Sequence, residues 1–172
     1  LLVTVGSCTA TTSSAIVINP LPTPTITSNS PVCLMQAINF TAAGANTYAW
    51  AGPNGYASNL NNPVIGSAGN VHAGTYTATA TDGNGCTNTV VTSVLINPLP
   101  VISAVGSTVC AETTMSLSAT GGTSFVWSGP LGFSSNLPFP QVNNASISMS
   151  GEYTVTATDL NGCVSTSMTN VQ

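Results

Sequence analysis

The chain has 172 residues, four of them acidic and one a histidine, with no lysine or arginine and a formal net charge of −4. Nucleic-acid binding needs Lys or Arg to displace phosphate counterions, and attraction to anionic lipid needs the same groups, so the composition excludes both. Apolar residues make up 42% of the chain, enough for packed cores and unlike a disordered segment of low hydrophobicity and high charge.

Solubility must then come from hydroxyl and amide side chains. No run of about 20 apolar residues is present, so no membrane span is expected. The opening "LLVTVGSCTA" lacks the basic start and the long apolar run of a secretory leader, and reads as the middle of something longer. A trypsin-like protease has no site anywhere.

In chain order, residues 1–20 read as the C-terminal strands of a preceding repeat. "CTATTSSAIVINPLP" from Cys8 recurs as "CTNTVVTSVLINPLP" from Cys86, an offset of 78. "INPLP" (18–22) precedes the first full repeat, residues 21–98, and "INPLP" (96–100) leads into the second, residues 99–172. Proline fixes φ and cannot extend a ladder, so these links should be short and stiff.

Within the first repeat, "AINFTAA" puts Ile38, Phe40 and Ala42 on one face, and "TYAW" does the same for Tyr48 and Trp50. "GTYTATATD" alternates threonine with Tyr76, Ala78 and Ala80, "DGNG" supplies a turn, and "CTNTVVTSVLI" a further strand. The second repeat follows suit with Met115, Leu117 and Ala119, then Phe125 and Trp127, then Tyr153, Val155 and Ala157, then "DLNG" and "CVSTSMTNV". Cys33 to Cys110, Trp50 to Trp127, Tyr76 to Tyr153, Asp82 to Asp159 and Cys86 to Cys163 are all 77 residues apart.

Period two marks strands with one dry face and one wet face. Threonine suits the wet face because β-branching favours extended backbone. No helical period is found. Many short strands between turn signals predict an all-β sandwich. A unit near 77 residues can hold its own thin core, which predicts beads rather than a solenoid.

The pattern "VC…F.A.G…Y.W.GP.G…G.Y…ATD.NGC" resembles the immunoglobulin-like and PKD-like repeats of very large secreted surface proteins in Bacteroidota. The likeness runs along essentially the whole chain. It implies tandem immunoglobulin-like β-sandwich domains, a fragment of a longer extracellular or cell-surface array that is often adhesive. It also implies that Trp50 and Trp127 sit on strand C in the core, and that Tyr76 and Tyr153 open strand F.

Antibody-type domains bridge the middles of strands B and F, with a tyrosine two residues before the second cysteine. This sequence departs from that, since Tyr76 lies ten residues before Cys86 and Cys33 precedes strand B. In the implied topology B and F run the same way, so the start of B and the end of F lie at opposite ends of a domain. A disulfide needs Cα atoms within about 7 Å, whereas a strand of about 8 residues spans roughly 26 Å. In a tandem string Cys33 would instead face Cys163 of the next repeat. The leading expectation is thus an interdomain Cys33–Cys163 bridge, with Cys8, Cys86 and Cys110 left for flanking repeats. The rival is within domains, Cys33–Cys86 and Cys110–Cys163. Either implies an oxidising compartment. Zinc is disfavoured, as no Cys-x-x-Cys spacing exists and only one histidine is available.

Other candidates are few. Asp82 and Asp159 are weak calcium candidates, since a calcium site needs 6–8 oxygens and each turn carries one acid; capping the turn is the plainer role. His72 reads as an exposed loop residue without a catalytic partner. Tyr56 and Phe133, in "GPNGY" and "GPLGF", are candidate surface contacts for a sugar or a neighbouring chain, with packing over the sandwich edge as the alternative. Asn39 and Asn144 begin N-glycan sequons, although Asn39 falls in a strand.

No catalytic set, cofactor or metal is expected. The expected function is structural: an extracellular filament, stalk or sheath, in which neutral surfaces tolerate lateral packing. The expected partners are neighbouring copies or flanking repeats, with surface glycans as a further candidate. The alternatives are a glycan- or protein-binding adhesin module using the loop aromatics, and accessory domains of a larger secreted enzyme.

Overall fold

The structure is a computed structural model and describes residues 2–172; Leu1, the first residue of the expected tail of a preceding repeat, lies outside the described residues. The chain opens with an exposed antiparallel hairpin, β1 (Leu2–Val5) and β2 (Cys8–Thr11). The first repeat contributes β3 (Thr25–Ser28), β4 (Val32–Cys33), β5 (Ile38–Ala43), β6 (Thr47–Ala51), β7 (Ala57–Ser58), β8 (Val64–Ile65), β9 (Gly74–Thr81) and β10 (Thr87–Val94). The short β11 (Ile96–Asn97) follows. The second repeat contributes β12 (Ser103–Gly106), β13 (Met115–Thr120), β14 (Ser124–Ser128), β15 (Ser134–Ser135), β16 (Gln141–Val142), β17 (Gly151–Thr158) and β18 (Val164–Val171).

In each repeat these strands make two sheets. One has the order β10-β9-β6-β7, and its counterpart is β18-β17-β14-β15. The other is β3-β5-β8, matched by β12-β13-β16. All pairings within these sheets are antiparallel. This is the immunoglobulin-like sandwich, present twice.

The alternating residues do what their period requires. Along β9 the inward Tyr76, Ala78 and Ala80 are buried, with half-exposed threonines between them. Phe40 on β5 faces across the sandwich to Trp50 on β6 and Tyr76 on β9, at ring-centroid distances of 5.2 and 4.6 Å. The small alanines of β9 leave room for the Trp50 indole, which lies opposite Ala78 in the β6–β9 register. In the second repeat Trp127 takes the same place opposite Val155.

Each strand-F tyrosine also ties a corner. The Tyr76 hydroxyl donates to the His72 carbonyl at 2.9 Å, and that of Tyr153 to the Met149 carbonyl at 2.9 Å. Burial pushes both phenols above their usual pKa, so they remain protonated donors through the neutral range.

The Trp-x-Gly-Pro stretch has a packing reason. Gly52 and Gly129 are extended, at φ −161° and −169°, so backbone strain does not demand glycine. A Cβ at Gly129 would instead collide with the Tyr153 ring, and one at Gly52 with the Tyr76 ring. Gly129→Ala is therefore expected to overpack the core and cost about 1–3 kcal/mol. Thermal unfolding checks this; an unchanged midpoint would mean that the ring yields freely.

Candidate functional site: the junction between repeats

A covalent link between the repeats lies where the first hands over to the second. Two segments meet there. One is the loop before β5, carrying Val32 and Cys33; the other is the "DLNGC" turn between β17 and β18, carrying Cys163.

The turn is built by its aspartate. Asp159 Oδ1 accepts the N–H groups of Asn161 and Cys163, both at 2.8 Å, and the Asp159 N–H donates to the Cys163 carbonyl at 2.9 Å. Gly162, at φ +78°, supplies the left-handed residue that closes it. Asp82 does the same in the first repeat, holding the Asn84 and Cys86 N–H groups at 2.9 and 2.8 Å. The carboxylate thus fixes the backbone of the cysteine four residues on. Among the described residues no group of three or more His, Cys, Asp or Glu side chains comes close enough to hold a metal ion.

Cys33 and Cys163 are joined by a disulfide, with Cα atoms 5.5 Å apart. Cys163 is fully buried and Cys33 nearly so. Neither within-repeat pairing forms: Cys86 and Cys110 are free, as is Cys8. The reason is the path of the chain. Cys33 is the ladder partner of Asn97, on the segment that leads into the second repeat, so the second repeat's turn is the one delivered to it.

That ladder is not evident from the sequence. β11 pairs with β4 in parallel, Ile96 beside Val32 and Asn97 beside Cys33. The Val32 N–H donates to the Leu95 carbonyl at 3.1 Å and the Leu34 N–H to the Asn97 carbonyl at 2.9 Å. The Leu95 N–H is held by Ser30 Oγ at 2.8 Å. Pro98 ends the ladder because it has no N–H. The link is therefore pinned before its prolines begin, and Ile96 is buried in the first repeat's core. The repetition of "INPLP" was the available signal, but proline stiffness conceals a strand of two residues.

The remaining candidates are local. His72 is half-buried rather than an exposed loop residue; its Nδ1 accepts the Gly69 N–H at 2.9 Å and closes the short turn before β9. Tyr56 and Phe133 are half-buried and pack edge-on against Tyr76 and Tyr153, with centroids 5.4 and 5.2 Å apart. A cavity of about 140 Å³ borders Phe133, Leu131 and Met149.

No protein-family model matches the chain, and no curated protein sequence matches it. Solved structures do. The three N-terminal domains of the highly immunogenic outer capsid protein (Hoc) of bacteriophage RB49 align at TM-score 0.50 and 18% identity, over 88% of this chain and 59% of that one. The N-terminal eight immunoglobulin domains of Down syndrome cell adhesion molecule align at TM-score 0.51 and 15% identity, over 82% of this chain and 26% of that one. The chain thus spans under two thirds of either neighbour. At these identities the likeness is one of fold: tandem immunoglobulin-like domains.

Proposed function

We propose that this chain is a non-catalytic structural segment of an extracellular array, in which immunoglobulin-like domains at about 21–98 and 99–172 are stapled end to end into a stiff filament, stalk or sheath. The observation that carries this reading is the junction: the Cys33–Cys163 disulfide crosses it, and the parallel β4–β11 ladder pins the start of the link to the first repeat. Each sandwich resists extension through its antiparallel ladders and its Trp-centred core. A surface without basic residues offers no trypsin-type cleavage and little charge repulsion between neighbours. The resemblance to Bacteroidota surface repeats supports an exported, cell-surface setting, and so does the disulfide.

Negative-stain microscopy of the native material tests this. Long regular fibres are the expected result; dispersed flexible particles would contradict it. The cavity beside Phe133 supports a second reading, an adhesin module that takes an apolar ligand face such as a sugar ring. Binding on a glycan array that disappears with Phe133→Ala would favour that reading.

A further inference from the structure

The two repeats share a fold but not a surface. Three exposed asparagines of the first, Asn54, Asn62 and Asn70, stand where the second has Leu131, Phe139 and Ile147, each 77 residues on. All three replacements are exposed, Leu131 at 71% and Phe139 at 61%. The asparagines stay exposed in the first repeat although a repeat follows it. These places therefore lie clear of the junction, and the exposed apolar side chains are a property of the second repeat itself.

Leu131 stands at the rim of the cavity of about 140 Å³, whose walls include Pro130, Phe133, Val142, Met149 and Tyr153. Ile147 lies beside it, because the turns Pro130–Gly132 and Ile147–Met149 are in contact. No side-chain donor is free in the cavity, since the Tyr153 hydroxyl is already donated to the Met149 carbonyl. An apolar cavity of about 150 Å³ takes one benzene ring. This one suits the uncharged ring of a single aromatic side chain.

The chain itself presents such a ring. Of its four phenylalanines, four tyrosines and two tryptophans, Phe139 is the only one exposed among the described residues. It is also held in place. Pro138 and Pro140 flank it with fixed φ, and their carbonyls accept the Ala119 and Leu117 N–H groups at 2.8 and 3.0 Å. A side chain on a backbone already fixed loses less freedom on docking. Val142 of the cavity wall is three residues from Phe139, so ring and cavity are neighbours on one repeat.

We propose that two copies of this chain pair side by side through their second repeats, each placing Phe139 in the cavity beside Phe133 and Leu131 of the other. The exchange is reciprocal, as a two-fold contact requires. Neither the ring nor the cavity carries a charge, so the contact has no ionic desolvation to overcome. One such contact is small and weak; along an array of linked repeats, contacts of this kind reinforce one another. The first repeat, with asparagine at all three places, is a spacer by comparison.

This inference rests on the array reading, to which it adds the lateral contact, but its test fails separately. The full chain, its free thiols alkylated so that only non-covalent association is read, is followed by analytical ultracentrifugation up to about 1 mM, the weak end of specific affinity. A monomer–dimer equilibrium is expected. Phe139→Asn and Leu131→Asn each install the first repeat's residue at an exposed position, so both variants fold, and an intact Cys33–Cys163 bridge confirms that they have. Each should weaken the dimer roughly tenfold or more, because both of its apolar contacts change together. An equimolar mixture of the two variants is the decisive arm. The ring of the Leu131→Asn chain meets the intact cavity of the Phe139→Asn chain, so the mixed dimer should be tighter than either variant's own. Persistent monomer, a dimer indifferent to Phe139→Asn, or a mixture no tighter than the variants alone would overturn the proposal. With Cys33–Cys163 intact, each of these results leaves the array reading standing. Unpaired Cys33 and Cys163 would overturn that reading, and this inference with it.

Discussion

Replacing Cys33 and Cys163 together by alanine is expected to lower the stability of the oxidised chain by up to about 5 kcal/mol, the loop-closure entropy of a 130-residue ring. The ceiling applies when both repeats unfold together; if they unfold one at a time, part of the effect disappears. Alanine is the right substitute because both sites are buried and a serine hydroxyl would lack a partner there. The same change should loosen the junction. The two-residue β11 ladder remains, but it ties the link only to the first repeat and places no restraint on the second. Denaturant unfolding reads the first effect, and small-angle X-ray scattering the second, as a broader distribution of end-to-end lengths. Unchanged unfolding and an unchanged distribution would show that the repeats hold their arrangement without the bridge.

The second large effect is expected in the cores. Trp127→Ala should cost about 3–5 kcal/mol, a large share of what a thin immunoglobulin-like unit has to spare. Trp127 is fully buried between the sheets, with Met115, Leu117 and Tyr153 in the same cluster. Trp50→Ala should cost at least as much. The Trp50 indole N–H donates to the Leu60 carbonyl at 3.0 Å, whereas Trp127 Nε1 is buried without an acceptor among the described residues. Losing Trp50 therefore removes a hydrogen bond as well as volume, while losing Trp127 removes an unsatisfied donor. Calorimetry on the two variants checks both the size and the order. Two losses under 1 kcal/mol would mean that the indoles are not the centre of either core.

Most of the strand pattern was legible because its signal is local. β9 and β17 alternate small or aromatic residues with threonine, and a period of two survives any tertiary context in which one face is buried. The Asp-x-Asn-Gly-Cys turn was legible for the same reason, since its hydrogen bonds run between residues no more than four apart. The bridge between Cys33 and Cys163 needed one further step, from strand order to which ends of neighbouring repeats meet.

What stayed hidden depends on distant partners or on single atoms. Ile96 continues the alternation of the strand at 86–96, but nothing local shows that it and Asn97 pair in parallel with Val32 and Cys33. The His72 ring as an acceptor for Gly69 depends on one side-chain orientation, and its counterpart in the second repeat, Met149, cannot accept in the same way. Repetition itself could mislead here. Leu60 and Leu137 are equivalent in sequence, yet only the first receives an indole hydrogen bond; the residues that follow differ, "NLNNP" against "NLPFP".

The most direct test is a disulfide map of the oxidised chain after digestion with a protease that cuts beside aromatic and leucine residues. One peptide pair joining Cys33 to Cys163 is the predicted product. Pairs joining Cys33 to Cys86 and Cys110 to Cys163 would mean that each repeat closes on itself, and that nothing covalent holds them in line.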